Sequence, residues 1–96
     1  MIAVEVTQTG ITVTGHAGYD EPGKDIVCAA VSVLVQNLVK SLEVFTDDLN
    51  GCLMEPGNVI ITYKNLSEQG TLLVDSFFIG ISQIQDTYGS QYVQVR

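Results

Sequence analysis

The sequence predicts an α+β fold, in which one mostly antiparallel five-stranded sheet and two helices form a single-domain sandwich in the order ββαββαβ. Two observations lead to this class. Short stretches near both ends and in the middle of the chain alternate apolar and polar residues, and two longer stretches keep apolar residues at helical spacing. With 96 residues, the chain has room for one hydrophobic core. We therefore expect residues 1–96 to form a single domain.

The first predicted strands cover residues 2–8 and 11–16, and Thr9-Gly10 between them indicates a hairpin. Residues 17–24 follow, with two glycines, one proline and three charged side chains. This composition is typical of a mobile loop.

Asp25 is a favourable N-cap for a helix that we expect to run to about Val44. The start of this stretch is rich in β-branched residues, as in a strand, but its apolar residues continue at helical spacing for about twenty residues. A helix that is apolar on most sides must be buried, and we expect it to pack on the sheet.

The second half of the chain contains two further strands, a second helix and a last strand. The predicted elements are a turn at 47–51, strands at 52–54 and 59–64, a helix from about Ser67 to Tyr88, and a strand at 91–95. Pro56 and Gly57 suit the central positions of a type II turn, and Gly89 ends the second helix.

The net charge of −7 narrows the possible partners. An acidic chain repels phosphate backbones, so we expect no direct binding to nucleic acid. It would attract a basic peptide or protein. The alternative is that the acidic residues only keep the domain soluble. No apolar run reaches membrane-spanning length and the first residues lack a signal-peptide pattern, so we expect no membrane contact and a cytoplasmic location.

Cys28 and Cys52 are expected to be free thiols, because nothing in the sequence indicates an oxidising compartment. Cys52, on a short strand, is expected to be a small core residue. One histidine and two distant cysteines do not match the spacing of a zinc site, and no C-x-x-C pair suggests redox chemistry. We therefore predict no metal and no cofactor.

Residues 15–32, GHAGYDEPGKDIVCAAVS, carry the most informative pattern. They place His16, the single histidine, at a strand end and Cys28 at the third position of a helix. Helix N-terminal N–H groups and a nearby imidazolium both favour a thiolate. An imidazole can also protonate a leaving amine. The pattern thus favours a nucleophile and an acid-base partner, with the helix-start N–H groups as oxyanion donors.

The sequence leaves more than one role open for Asp25 and for Ser32, which lie near this pair. Asp25 could orient His16, although capping is the favoured role. Ser32 lies on the same helix face as Cys28, but a serine in an apolar helix more often bonds back to the carbonyl of residue i−4. The residues alone also leave open whether Cys28 and His16 are structural, because small alanine-flanked cysteines are commonly core residues.

Residues 15–19 and 23–32 closely resemble the signature of the bacterial ribosomal-processing cysteine protease family Prp. The length, the element order, the acidity and the glycine-bearing loop are similar to that family, and the C-terminal half is similar in pattern only. The resemblance implies that Cys28 and His16 are catalytic. It places Gly15, Asp25 and Ser32 close to the site.

The resemblance also implies that the loop gates access of the substrate, through Ala17, Gly18, Tyr19, Gly23 and Lys24. Family members remove the N-terminal extension of a large-subunit ribosomal protein of the L-twenty-seven type, and they form homodimers. The implied partner is therefore this ribosomal protein precursor. Its bulky apolar residues before the cut imply a hydrophobic pocket, which Tyr19 would help to line.

One alternative to an enzyme is a non-catalytic acidic module that binds a basic ribosomal protein. In that case Cys28 would only be packed in the protein. The relative reactivity of the two thiols separates these alternatives, since a catalytic cysteine reacts faster than a structural one.

Overall fold

A computed structural model describes residues 1–96 and confirms the α+β class with the order ββαββαβ. The elements are β1 (Ile2–Val6), β2 (Gly10–Thr14), α1 (Ile26–Phe45), β3 (Leu49–Glu55), β4 (Asn58–Tyr63), α2 (Glu68–Tyr88) and β5 (Val93–Val95).

The five strands form one sheet in the order β3-β4-β2-β1-β5. All neighbours are antiparallel except β1 and β5, which are parallel, so the sheet is mixed but mostly antiparallel as predicted. The pairing of β2 with β4 sets Thr14 opposite Asn58. As a result, the turn between β3 and β4 lies beside the chain that leaves β2.

Seventeen buried apolar residues from the strands, from both helices and from the segment after β2 form one core. The alternating residues of each inner strand face this core, as in the pairs Ile2 and Val4 of β1 and Ile11 and Val13 of β2. Helix α1 contributes six of the buried residues: Val27, Val31, Val35, Leu38, Val39 and Leu42.

Helix α1 is long and apolar enough, by length and composition alone, to cross a bilayer. This measure averages over the helix, whereas Ser32, Gln36 and Asn37 interrupt its apolar run, so the expectation that no apolar run reaches membrane-spanning length is not contradicted. A buried core helix passes the same test, and the six core residues of α1 account for its apolar character.

Strand β3 is the largest departure from the predicted elements. It covers Leu49–Glu55, whereas the sequence predicted only residues 52–54 after a turn. Asn50 and Gly51 suggested the turn, but they lie in the strand at an irregularity of its pairing with β4. Because β3 is an edge strand, Cys52 is exposed, and its prediction as a core residue was wrong.

The other strand ends differ from the prediction by at most two residues. Strand β2 stops at Thr14 because Gly15 has φ +90°, so His16 lies just beyond the strand. Strands β1 and β5 are also shorter than predicted. Helix α1 has the predicted N-cap, Asp25, and Ser67, where the second helix was predicted to begin, caps α2. Gly57 has φ +74°, as the third residue of a type II turn requires.

Candidate active site

Cys28 is the third residue of α1, as the sequence predicts, and it is half-buried. The backbone N–H of Ala17 donates a hydrogen bond to its Sγ, at 3.3 Å. Ala17 is itself in the core, with 3% of its surface exposed. The donor is therefore held firmly, and it stabilises negative charge on the sulfur.

Asp25 caps α1 and also holds the loop that precedes it. Its Oδ1 accepts hydrogen bonds from the N–H groups of Val27 and Cys28, both at 3.0 Å. Its Oδ2 accepts from the N–H groups of Tyr19 and Asp20, at 2.9 and 3.3 Å. Each oxygen thus serves a different segment of the chain.

The expectation that Asp25 acts as the cap is therefore confirmed, and the expectation for the oxyanion donors is wrong. The N–H groups of Val27 and Cys28 donate to Asp25, and that of Ala29 donates to the Asp25 carbonyl. The first amides of α1 are thus already paired. An oxyanion next to Cys28 would need other donors.

The ionised form of Asp25 is stabilised by its surroundings. Desolvation raises the pKa of this carboxyl, but the four backbone hydrogen bonds outweigh it and leave the pKa below the ordinary value of 3.8. At neutral pH, Asp25 is therefore a charged, fully occupied acceptor.

His16 is exposed and stands between the end of β2 and the turn of residues 55–58. The N–H of Gly15 donates to the carbonyl of Gly57 at 3.0 Å, which ties the two segments together. The imidazole of His16 lies against Gly57. His16 and Cys28, twelve positions apart in sequence, border the same two cavities.

The first of these cavities, which we call the apolar pocket, has a volume of about 360 Å³. It lies between α1 and the β3–β4 turn, and His16 and Cys28 are at its edge. Its apolar lining residues are Ile2, Val13, Val31, Val35, Met54, Pro56 and Val59. Glu55 is the single carboxylate among its lining residues. This pocket suits a bulky apolar side chain.

The second cavity, which we call the loop pocket, has a volume of about 630 Å³ and lies under residues 17–24. Its lining includes the polar residues Asp20, Asp25 and Ser32. Ser32 borders both cavities, and its hydroxyl makes no hydrogen bond to the carbonyl of Cys28. Ser32 therefore lacks the expected hydrogen bond to the carbonyl four residues earlier. Ser82 in α2 makes such a bond, to the Phe78 carbonyl at 2.8 Å.

Tyr19 attaches the loop of residues 17–24 to the end of α2 and to the segment that follows it. Its ring packs edge-on against Tyr88 and Tyr92, with ring centroids 5.3 and 5.1 Å apart. Tyr19 therefore lines neither cavity, and the expectation that it lines the substrate pocket was wrong. Lys24 makes only an exposed ion pair with Glu21, at 3.8 Å, which contributes little.

The sequence did not place the β3–β4 turn at the site. Residues 55–58 line the apolar pocket with Cys28, about thirty positions away in sequence, and with His16, about forty positions away. Pro56 and Gly57 do signal a turn. Its location depends on strand order, for which the sequence carries no local signal.

Comparison with known proteins agrees with this arrangement. The family model for cysteine protease Prp matches residues 1–94. The ribosomal processing cysteine protease Prp of Mycoplasma genitalium is 46% identical over 35 residues, which are 36% of this chain and 35% of that protein. The match thus spans about a third of this curated relative.

Two solved structures have a similar fold. One is an essential ribosomal processing protease Prp from S. aureus, in complex with a covalently linked product peptide. It has a TM-score of 0.90 and 22% identity, with 100% of this chain and 98% of that chain covered. The other, SMU.848 from Streptococcus mutans, has a TM-score of 0.79 and 31% identity, with 100% and 92% covered.

The low identity to the S. aureus structure means that this likeness concerns the fold alone. The family model, by contrast, covers nearly the whole chain, including every residue that borders the two cavities. The family predicted from residues 15–32 is thereby confirmed: the chain belongs to the cysteine protease Prp family.

Proposed function

We propose that this chain is a cysteine endopeptidase that removes the N-terminal extension of a large-subunit ribosomal protein of the L-twenty-seven type. One observation carries the proposal: the sulfur of Cys28, at the start of α1, and His16 border the same two cavities. The name of the M. genitalium relative supports the ribosomal processing part.

In the proposed reaction, the Cys28 thiolate attacks the scissile carbonyl and forms a carbon–sulfur bond. His16 donates a proton to the leaving nitrogen as the carbon–nitrogen bond breaks. It then takes a proton from the water that hydrolyses the thioester, which frees the new carboxylate and the thiol. Before the attack, the N–H of Ala17 stabilises the sulfur.

The two cavities suggest how the peptide lies across the site. A bulky apolar residue before the cut fits the apolar pocket, and the scissile bond then falls between Cys28 and His16. The precursor is the natural partner for a chain of charge −7, because ribosomal proteins are basic. We place this activity in the cytoplasm, without direct contact to nucleic acid.

We further propose that the loop moves to admit the peptide. Because Ala17 is buried in the core, its position is fixed, and the movable part begins at Gly18. Gly18 and Gly23 have φ values of +68° and +85°, which only glycine adopts at low cost. These two residues are the hinges that we assign to the loop.

A homodimer is part of the proposal. Helices α1 and α2 expose Val33, Leu72 and Ile79, at 64%, 70% and 60% of their surfaces, and a second copy would cover such side chains.

Cys28→Ala and His16→Ala should each lower cleavage of the extended ribosomal protein by about a thousandfold or more, because each removes a reacting group. Mass measurement of the product after incubation gives the result directly. Cys52→Ala is the matched control, since this thiol is on the edge strand, and it should keep full activity. If Cys28→Ala still cleaves at the normal rate, the nucleophile is misassigned, and if the wild-type chain only binds the precursor, the protein is a binding module.

Tyr19→Ala should raise the alkylation rate of Cys28 by iodoacetamide several-fold, because the loop loses both aromatic contacts. Tyr19→Phe keeps the ring and should react like the wild type. Cys52 is an internal reference: partial desolvation of its sulfur and the charge of Glu43 raise its pKa, so its rate should be low and equal in all three proteins. Equal alkylation of Cys28 in the three proteins would argue against a gating loop.

Asp25→Ala should destabilise the fold by about 1–2 kcal/mol, whereas Asp25→Asn should keep most of the capping free energy. The carboxylate of the wild type contributes stability fully above its unfolded pKa, and this contribution is lost as the pH falls through the lowered folded pKa. Urea unfolding measures the difference in free energy of unfolding between the wild type and Asp25→Asn. This difference should be constant near pH 7 and shrink below about pH 4. An advantage that grows on acidification would contradict this assignment.

Sedimentation equilibrium should give twice the chain mass of 10.4 kDa at micromolar concentration. Leu72→Glu and Ile79→Glu place charges on the exposed apolar surface and should shift the equilibrium to the monomer. Asp86→Glu, on the exposed part of α2, should leave it unchanged. A monomeric wild type would exclude the homodimer.

A further inference from the structure

The β3–β4 turn contacts His16 through a residue that has no side chain. Strand pairing sets Asn58 opposite Thr14, and the N–H of Gly15 donates to the Gly57 carbonyl at 3.0 Å. These bonds fix the backbone of Gly57 next to the residue before His16. The turn is therefore a rigid wall for the imidazole.

The imidazole fills the space that a side chain at position 57 would need. A Cβ on Gly57 would lie 2.8 Å from Nε2 of His16, 3.2 Å from Cε1 and 3.5 Å from Cδ2. A carbon atom does not approach a ring nitrogen to 2.8 Å without displacing it. Any residue other than glycine must therefore push the ring of His16 away.

The backbone conformation at position 57 also favours glycine. This requirement can be tested separately from the contact with the His16 ring. Its φ of +74° belongs to the left-handed region, and that of Gly23 is similar at +85°. A Cβ on Gly23, however, would meet nothing within 4 Å. Gly23 thus shares the conformational requirement of Gly57 but not its contact with the imidazole.

We propose that Gly57 is a positioning residue, whose missing side chain sets where the His16 imidazole stands relative to Cys28. The inference rests on the proposed acid-base role of His16. Proton transfer requires heavy atoms within about 2.6–3.2 Å, and a displacement of about 1 Å costs roughly a hundredfold in rate. The turn from the other half of the chain thereby becomes part of the catalytic arrangement.

The test compares Gly57→Ala with Gly23→Ala in the full chain. Both substitutions put alanine at a left-handed position, so both should lower the thermal midpoint by a similar amount. Gly57→Ala should lower kcat by about 10- to 100-fold with little change in KM. Gly23→Ala, at a hinge of the loop, is the control for stability and for the His16 signals, not for activity. His16 is the single histidine, so its ring gives one set of NMR signals, which should move in Gly57→Ala and stay in place in Gly23→Ala.

A folded Gly57→Ala with unchanged kcat and unchanged His16 signals would overturn the proposal. If Gly57→Ala does not fold, nuclear Overhauser effects between the Gly57 α-protons and the His16 ring protons in the wild type decide: their presence supports the contact and their absence overturns it. Failure of the proposed function would show differently, as a wild-type chain without cleavage whose His16 signals still respond to Gly57→Ala.

Discussion

The carboxylate of Asp25 is the interaction on which the site depends. It joins the first turn of α1, which carries Cys28, to the loop that covers the loop pocket. Without this acceptor, two backbone N–H groups at the start of α1 and two in the exposed loop would lose their partner. A single side chain thus sets both the position of the sulfur and the closed state of the loop.

The sheet topology supplies the second constraint. His16 follows β2, which pairs with β1 on one side and with β4, from the second half of the chain, on the other. This crossover brings the turn of residues 55–58 to the imidazole and closes one side of the apolar pocket. The order of the strands therefore matters to the chemistry as much as the spacing between His16 and Cys28.

Local signals in the sequence explain which features were predictable. The caps Asp25 and Ser67, the type II turn at Gly57 and the long apolar period of α1 act within a few residues, and the fold class follows from them. Features that depend on tertiary neighbours were missed: Cys52 is exposed because β3 is at an edge, and Tyr19 points to Tyr88 and Tyr92 instead of the pocket. The amides of α1 were expected to be free, although a good cap necessarily occupies them.

In the proposed gating, the two oxygens of Asp25 let the loop open without disturbing the sulfur. Opening from Gly18 onward breaks the two bonds to Oδ2 and the two ring contacts of Tyr19, whereas the bonds to Oδ1 and the bond from Ala17 to Cys28 remain. At about 1 kcal/mol for each bond or ring contact, opening costs roughly 4 kcal/mol, so the open state is populated on the order of one part in a thousand. Binding of a peptide in the apolar pocket supplies free energy of this size. In the proposed mechanism, the closed loop therefore covers a nucleophile that is already arranged for attack.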